Sequence, residues 1–475
     1  MERRASQESV VDLIDSGQFL AAEEIFAERR TNDPMEMVIR AEVAMYFNKL
    51  GDAASLLAEV GPRVDEIDVA ARFSLSKGRV ALWHGDEQSA ETQLQTAYHF
   101  YSFLNDSFGV SKSLLYLAQL ARRQDRLDEA GQKLDAAQSG IKGRTSRRTE
   151  YLRGLIATEL AALAIDTGEI DKAGELFTEA TRLLKNAEKG RFYARALTGM
   201  ASFKCALGEF QDSLELYKEA NIVFERYDIR KDLAISQLEL AKALMRLKRF
   251  ERAEKLAEDS REVSKGDPVG ESRAIATLAL TALNQNVIDQ AGERALQAVA
   301  LADQIAEGEG IEQARACARI ALGYVSIARH EFKDAVEALQ KALEIAHSLT
   351  GSANRRIELE SAICLAEAYH SLDTRAGRAE LQRASELLNS IEDAWLGDEF
   401  NRVSAKYEEQ IVFTDDNRLV FDGNQLPRWQ EAKRTLEGFL LRNALRQTNN
   451  SLTRAARKLG VSKVHVHNLK KKHNI

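Results

Sequence analysis

The side chains best suited to chemistry lie near the C-terminus of this sequence, in the segment Leu452–His473. Lysine side chains neutralise backbone phosphates, and lysine and asparagine also pair with guanine and adenine in the major groove of DNA. We therefore predict that this segment binds double-stranded DNA. The predicted contacts are Thr453, Arg454, Ser462, Lys463, Val464, His465, His467, Asn468, Lys470, Lys471 and Lys472.

The spacing of these residues divides them between two roles. Lys463, His465 and Asn468 project from the outward face of the last predicted helix, where side chains can reach base edges. The lysines Lys470–Lys472 lie at the end of that helix, and we expect them to contact the DNA backbone rather than the bases.

The charge of the chain is divided between a basic C-terminal segment and an acidic remainder. From Arg428 to Ile475 there are 12 Lys and Arg against 2 acidic residues, Glu431 and Glu437, which gives +10. The whole chain has 66 basic and 73 acidic residues, so the remainder has 54 against 71, or −17. A basic segment attracts phosphate backbones, although a basic amphipathic helix also suits RNA, an acidic protein or a membrane surface.

The elements that would position these residues are three helices. The pattern predicts a long amphipathic helix over Trp429–Gln447, a helix over Leu452–Leu459 with Ser451 as its N-cap, and a last helix from Ser462 to about His473. Two helices joined by a short turn that contains a glycine are typical of a helix-turn-helix. Ala456 would allow the two helices to cross closely, and Gly460 would allow the turn. The predicted core between the helices is Ala455, Leu459, Val461, Val466 and Leu469.

The segments Leu440–Leu445 and Thr448–Ser462 resemble the Fis-type DNA-binding domain. In that family a long helix precedes the helix-turn-helix and helps to form a dimer, so the resemblance implies a homodimer on an inverted-repeat operator. Val464 and His465 replace the common Asn and Thr of the recognition helix, so the preferred base sequence does not carry over. The apolar residues expected at the dimer contact are Trp429, Leu436, Phe439 and Leu440.

The rest of the chain repeats one pattern. Ala173 is followed by Phe177, and forty residues on Ser213 is followed by Tyr217. A small residue lets two helices approach closely, and a large residue four positions later fills the next groove on the same face. A glycine or polar residue before each small residue would end the preceding helix in a left-handed conformation. Further copies occur at Ala22, Ala90, Ala130, Ala253, Ala291 and Ala335, with decayed copies near Ala54 and Ala384.

This pattern resembles the tetratricopeptide repeat, from about Val10 to about Asn389. The spacing near 40 residues exceeds the standard length of about 34 and resembles the long-helix variety of bacterial regulators that sense peptides or protein partners. The resemblance implies a tetratricopeptide-like α-solenoid, a superhelix of antiparallel helix pairs. We expect eight to ten repeats and a peptide or protein ligand in the groove.

Motifs for catalysis and metal binding are missing from the sequence. It contains no GxxxxGK[ST], GxSxG or HExxH motif, and the three cysteines show no CxxC spacing. The histidines of the body have no second ligand at metal-binding spacing, and His465 and His467 would diverge on a helix. We therefore expect a protein that is not an enzyme, without a metal or cofactor. The histidines of the body are His84, His99, His330, His347 and His370.

Hydropathy predicts a cytoplasmic protein with no membrane contact. No run approaches the roughly 18 apolar residues of a membrane span, and the first residues lack the apolar core of a signal peptide.

A short junction precedes the basic segment. Ile411–Phe413 and Leu419–Phe421 are β-prone runs around a turn rich in Asp and Asn, which predicts a β-hairpin. Asp422 and Pro427 then break the backbone pattern. An isolated hairpin is marginal in water, so we expect it to pack against another element or a second copy.

Together these observations predict an all-α protein with a solenoid at 1–400, a linker with the hairpin at 401–427 and a helix-turn-helix domain at 428–475. The predicted function is a cytoplasmic bacterial transcriptional regulator that binds operator DNA while its solenoid senses a peptide or protein. Because the P-loop is missing, it would act without nucleotide hydrolysis. The alternative is a non-transcriptional interaction scaffold whose basic tail binds RNA or an acidic partner.

Overall fold

The computed structural model describes residues 10–27, 32–187, 189–306, 310–349, 352–372, 374–389, 391, 393–408, 413–414, 418–419, 429–448 and 450–473. The chain divides into two compact units, Met1–Asn401 and Arg402–Ile475. Within the described ranges, no helix is long and apolar enough to cross a membrane.

The first unit is built from helices joined by short turns. Residues 10–15 are helical. The later helices of this unit are α1 (Phe19–Ala27), α2 (Pro34–Tyr46), α3 (Leu50–Val60), α4 (Ile67–His84), α5 (Glu87–Phe103), α6 (Ser107–Arg123), α7 (Leu127–Gly140), α8 (Arg147–Asp166), α9 (Ile170–Ala187), α10 (Arg191–Ala206), α11 (Phe210–Arg226), α12 (Arg230–Arg246), α13 (Phe250–Val263), α14 (Pro268–Asn284), α15 (Ile288–Gln304), α16 (Ile311–Ala328), α17 (Phe332–Ser348), α18 (Ser352–Leu372), α19 (Thr374–Leu388) and α20 (Ala394–Glu408).

The helices pack in pairs, and the small residues of the repeat lie at the contacts. Eight of these alanines are fully buried: Ala22, Ala90, Ala130, Ala173, Ala253, Ala291, Ala335 and Ala384. The close approach is visible at Gly199 on α10, where an added methyl group would lie 2.7 Å from the ring of Phe177 on α9. The first helices of successive pairs also touch, as α10 does with α12 and α12 with α14. This two-layer stack is the predicted α-solenoid.

Left-handed residues separate the two helices within the pairs, as predicted. Gly168 and Gly208 have φ values of 78° and 80°. Other pairs use a polar residue at this position, including Lys248 at 57° and His330 at 61°. A residue with a Cβ is strained in this region, so the turn is imposed by the packing of the two helices rather than by local preference.

The second unit starts at Arg402, within α20, and contains a minimal strand pair followed by three helices. Strands β1 (Phe413–Thr414) and β2 (Arg418–Leu419) pair antiparallel, with Phe413 opposite Leu419. The other residues of the predicted hairpin lie outside the described residues. The helices are α21 (Trp429–Gln447), α22 (Leu452–Leu459) and α23 (Lys463–Lys472). Their shared core contains Leu441, Ala444, Leu445, Ala455, Ala456 and Val466.

Two details of this unit differ from the sequence prediction. Ser451 occupies the N-cap position of α22, but its side chain makes no capping hydrogen bond. Val461, predicted in the core, is 37% exposed. The reason is the turn: Gly460 adopts φ 67°, and the backbone of Val461 bonds back to Ala456, so its side chain lies outside both helices.

Candidate ligand groove and candidate nucleic-acid interface

A buried charge cluster fixes the N-terminal helices onto α4 and α6. The guanidinium of Arg72 lies 3.1 Å from Asp15 and 2.9 Å from Glu42, and the ammonium of Lys112 lies 3.1 Å from Asp15. Burial alone would raise the pKa of Glu42, but Arg72 and Lys112 outweigh it and lower that pKa to about 2. Because every charge in the cluster is opposed, it holds four parts of the chain together without an open coordination site.

A second contact joins the N-terminal helices to the middle of the solenoid. Arg191 on α10 donates from Nη1 to the carbonyl oxygens of Met45 and Tyr46, each at 2.8 Å. Its Nε donates to Asp232 on α12 at 2.6 Å. The pKa of Asp232, which burial would raise, is lowered by Arg191 and Arg195. Arg191 is therefore a structural residue although it lies beside the groove.

The first helices of four successive pairs line a cavity of about 170 Å³. They contribute aromatic rings, guanidinium groups and one carboxylate. The lining residues are Trp83 on α4; Leu115, Tyr116, Gln119, Arg122 and Arg123 on α6; Leu155, Thr158 and Glu159 on α8; and Phe192 and Arg195 on α10. Aromatic faces combined with polar groups on rigid helices can hold an extended peptide.

The carboxylate in this cavity is paired with a cation but only partly hydrogen-bonded, since its Oε2 is buried and has no hydrogen-bond partner among the described residues. Glu159 accepts a hydrogen bond from Gln119 at 2.7 Å and lies 3.6 Å from Arg122. Arg122 also donates to Asp166 at 3.0 Å. The guanidinium of Arg195 is exposed and available to a ligand, whereas the guanidinium of Arg79 already lies over the rings of Trp83 and Tyr116.

A further charged group lies deeper in the solenoid, around α12. Glu239 accepts from Lys242 at 2.8 Å; burial would raise its pKa, but Lys242 and Arg356 lower it to about 2. Arg356 on α18 lies 3.2 Å from Asp393. The charge of Arg356 acts on Glu239 although several helix pairs separate α12 and α18 in sequence.

None of these groove residues was identified from the sequence, but a pattern marks one of them, Arg195. Arg195 lies fifteen positions before Phe210, the first residue of α11. Arg273 lies fifteen positions before Ile288, the first residue of α15. The sequence signal that could have identified Arg195 is therefore an arginine at the same position of the first helix in two repeats.

The predicted DNA contacts of the second unit are mostly exposed. Those on α23 with exposed side chains are Lys463, Val464, His465, His467, Asn468, Lys471 and Lys472, and those on α22 are Thr453 and Arg454. Val464 is 69% exposed. Lys470 is only partly exposed. Val466 is fully buried, so it anchors α23 and leaves the basic face outward.

Two predicted contacts already have structural partners. Ser462 accepts a hydrogen bond from the backbone of His465 at 3.1 Å, so its hydroxyl caps α23. The ammonium of Lys472 lies 2.8 Å from Glu437 on α21. Lys472 therefore ties α23 to α21, and it is less available for phosphate than the sequence suggested.

The predicted dimer residues lie on α21. Leu436 and Leu440, one helical turn apart, are each 44% exposed. Phe439 is partly buried within the unit, and Trp429 begins the helix. Among the described residues, no group of three or more His, Cys, Asp or Glu could hold a metal ion.

No family model matches the sequence, and no curated protein matches it. The fold is similar to a Rap protein solved in complex with Competence and Sporulation Factor, with a TM-score of 0.55, 11% identity, and coverage of 78% of this chain and 100% of that one. It is also similar to the apo form of the quorum sensor NprR from B. thuringiensis, with a TM-score of 0.52, 17% identity, and coverage of 74% and 97%. These likenesses show that the first unit has a tetratricopeptide-like helical-repeat fold.

Proposed function

We propose that the protein is a transcriptional regulator that binds double-stranded DNA through α22 and α23 while its solenoid binds a peptide or protein segment. The observation that carries the proposal is the face of α23, where Lys463, His465 and Asn468 are exposed around an anchor, Val466, that is fully buried. A short helix anchored on one side and basic on the other suits the major groove.

The turn between α22 and α23 supports a helix-turn-helix assignment. Gly460 caps α22 with a left-handed backbone, and Ser462 begins α23 with a side-chain cap. Ala455 and Ala456 are buried where the helices cross. The resemblance to Fis-type domains rests on these same positions.

The solenoid supports the sensing role. Its first helices offer aromatic and guanidinium groups along one cavity. The Rap protein with a similar fold was solved in complex with Competence and Sporulation Factor. We propose that the present solenoid likewise holds a ligand in its groove, without catalysis, in the cytoplasm.

A homodimer completes the proposal. One helix-turn-helix reads half a site, and two copies would read an inverted repeat with half-sites about 34 Å apart. Leu436 and Leu440 form an exposed apolar patch on α21 that a second copy of the chain would cover.

The test is a gel shift with the full-length chain. Double-stranded DNA from upstream of its own gene and a pool of random duplexes serve as probes, with single-stranded RNA of equal length as the comparison. We expect a preferred duplex sequence and affinity that falls steeply with salt. Tighter binding to the RNA than to any duplex would support the scaffold alternative instead.

A further inference from the structure

Three carboxylates on the first helices are each paired with a cation of the chain, and two arginines on these helices are not paired. Glu159 is paired with Arg122, Glu239 with Lys242, and Asp232 with Arg191. Arg195 and Arg273 make no ion pair in the part of the chain that the structure describes. Excess guanidinium here is not a result of composition, because the chain outside the basic tail carries −17.

These two arginines occupy equivalent places in the solenoid. Arg195 on α10 and Arg273 on α14 each lie fifteen residues before the second helix of their pair begins, and both α10 and α14 pack against α12. The residue at the same register on α12 is the apolar Ile235. The groove therefore presents a guanidinium, an apolar side chain and a second guanidinium on three successive first helices.

Another guanidinium on α12, that of Arg246, is held against an aromatic ring. Its guanidinium stacks over the ring of Trp395, and it makes no ion pair among the described residues. Burial lowers its pKa and the carboxylate of Glu360 opposes its charge, so this arginine serves the packing of the solenoid rather than a ligand.

A surface with two unpaired arginines fits a negatively charged ligand. Guanidinium groups bind carboxylates with two parallel hydrogen bonds, so an acidic ligand could pair with each of the two arginines. The basic tail of the chain, at +10, has the wrong sign to occupy the groove.

The spacing sets the size of the ligand. Packed helices lie about 8–10 Å apart, so α10 and α14 place their arginines roughly 20 Å apart. An extended peptide advances about 3.3 Å per residue, so about six residues separate the two contacts.

We propose that the groove binds an acidic peptide segment, with two carboxylate side chains about six residues apart that pair with Arg195 and Arg273 and an apolar residue between them over Ile235. This proposal rests on the proposed peptide-sensing function and specifies the chemistry of the ligand.

The test uses the full-length chain and three labelled octapeptide pools, read by fluorescence anisotropy. The pools carry Glu, Gln or Lys at positions one and seven and share mixed apolar and small residues between. We expect the Glu pool to bind about tenfold more tightly than the Gln pool, since hydrogen bonds between ionised groups are stronger than those to a neutral amide. The Lys pool should bind weakest.

Variants locate the contact. Arg195→Gln and Arg273→Gln should each remove most of the preference for the Glu pool, while Arg252→Gln, on the exposed face of α13, should leave it unchanged. Arg195→Glu should make the protein prefer peptides with Lys at the one peptide position that contacts residue 195. Circular dichroism of each variant confirms that it is folded.

Two results would overturn the inference in distinguishable ways. Equal binding of the Glu and Gln pools, unaffected by Arg195→Gln, would leave peptide sensing intact and refute the acidic ligand. No binding of any pool would contradict the sensing function itself.

Discussion

The guanidinium of Arg246 on α12 stacks over the indole of Trp395 on α20, with its carbon 3.1 Å from the ring centroid. The two residues lie on helices that several helix pairs separate in sequence. Burial lowers the pKa of this arginine from its usual value. The contact fastens the last helix of the solenoid to its middle.

Trp395→Ala should loosen α20. Cation–π contacts contribute about 0.5–2 kcal/mol, so the local unfolding free energy of α20 should fall by that amount. Hydrogen exchange followed by mass spectrometry on residues 394–408 measures it, with α4 as an internal control. Unchanged exchange would mean that the stack contributes nothing to docking.

Glu42→Gln should change the response of the protein to acid. The pKa of Glu42 is lowered from 4.5 to about 2, so its stabilisation is complete above about pH 5 and is lost as the pH falls toward 2. The shift corresponds to about 3 kcal/mol. Urea unfolding between pH 2 and 7 should show a flatter pH dependence and lower stability at neutral pH. Glu251→Gln, on the exposed start of α13, is the matched control.

Lys471→Ala should weaken binding to all DNA sequences alike. Its ammonium is exposed at the end of α23, so its loss should lower the salt slope by about one unit. Lys472→Ala should change the slope less, because that ammonium is paired with Glu437. Binding titrations at several salt concentrations measure both. A change in the preferred sequence would contradict the assignment to the backbone.

Asn468→Ala and Lys463→Ala should instead reduce sequence preference. Each should cost about 1–3 kcal/mol on the selected duplex and little on random DNA. Competition gel shifts with the two probes give the comparison. Equal losses on both probes would exclude base contacts by these residues.

Leu440→Glu should separate the proposed dimer. Burial of a leucine contributes about 1.5–3 kcal/mol, and each dimer loses two, so its dissociation constant should rise about a hundredfold or more. Sedimentation equilibrium of the full chain measures this, with Leu372→Glu on α18, a leucine 45% exposed, as control. A dimer that persists unchanged would place the contact elsewhere.

The features that the sequence predicted are those set by local periodicity. Ala173 and Phe177 lie one helical turn apart, so their packing follows from the helix itself, and Gly168 follows from the need to end α8. The bounds of α21 and α22 were predictable for the same reason.

The features that were missed depend on residues far apart in the chain. Arg72 meets Asp15 across 57 positions, and Lys112 meets the same carboxylate across 97. Neither ion pair can be predicted from helical periodicity, because its partners lie on different helices. The pairing of Lys472 with Glu437 was missed for the same reason, because only the crossing of α23 and α21 brings them together.

The left-handed turns fix where each helix pair begins and ends. Gain or loss of a whole repeat therefore keeps the packed faces of the other helices in register, whereas insertion of a single residue does not. One residue inserted within α14 ahead of Arg273 would rotate the remainder of that helix by about 100°, turning Arg273 away from the groove. Loss of the whole pair α12–α13 would preserve every helical face and bring Arg195 and Arg273 onto neighbouring first helices. The fitting peptide would then shorten by about three residues. Duplication or deletion of repeats would thus change the length of peptide that fits, while the surroundings of each arginine stay the same.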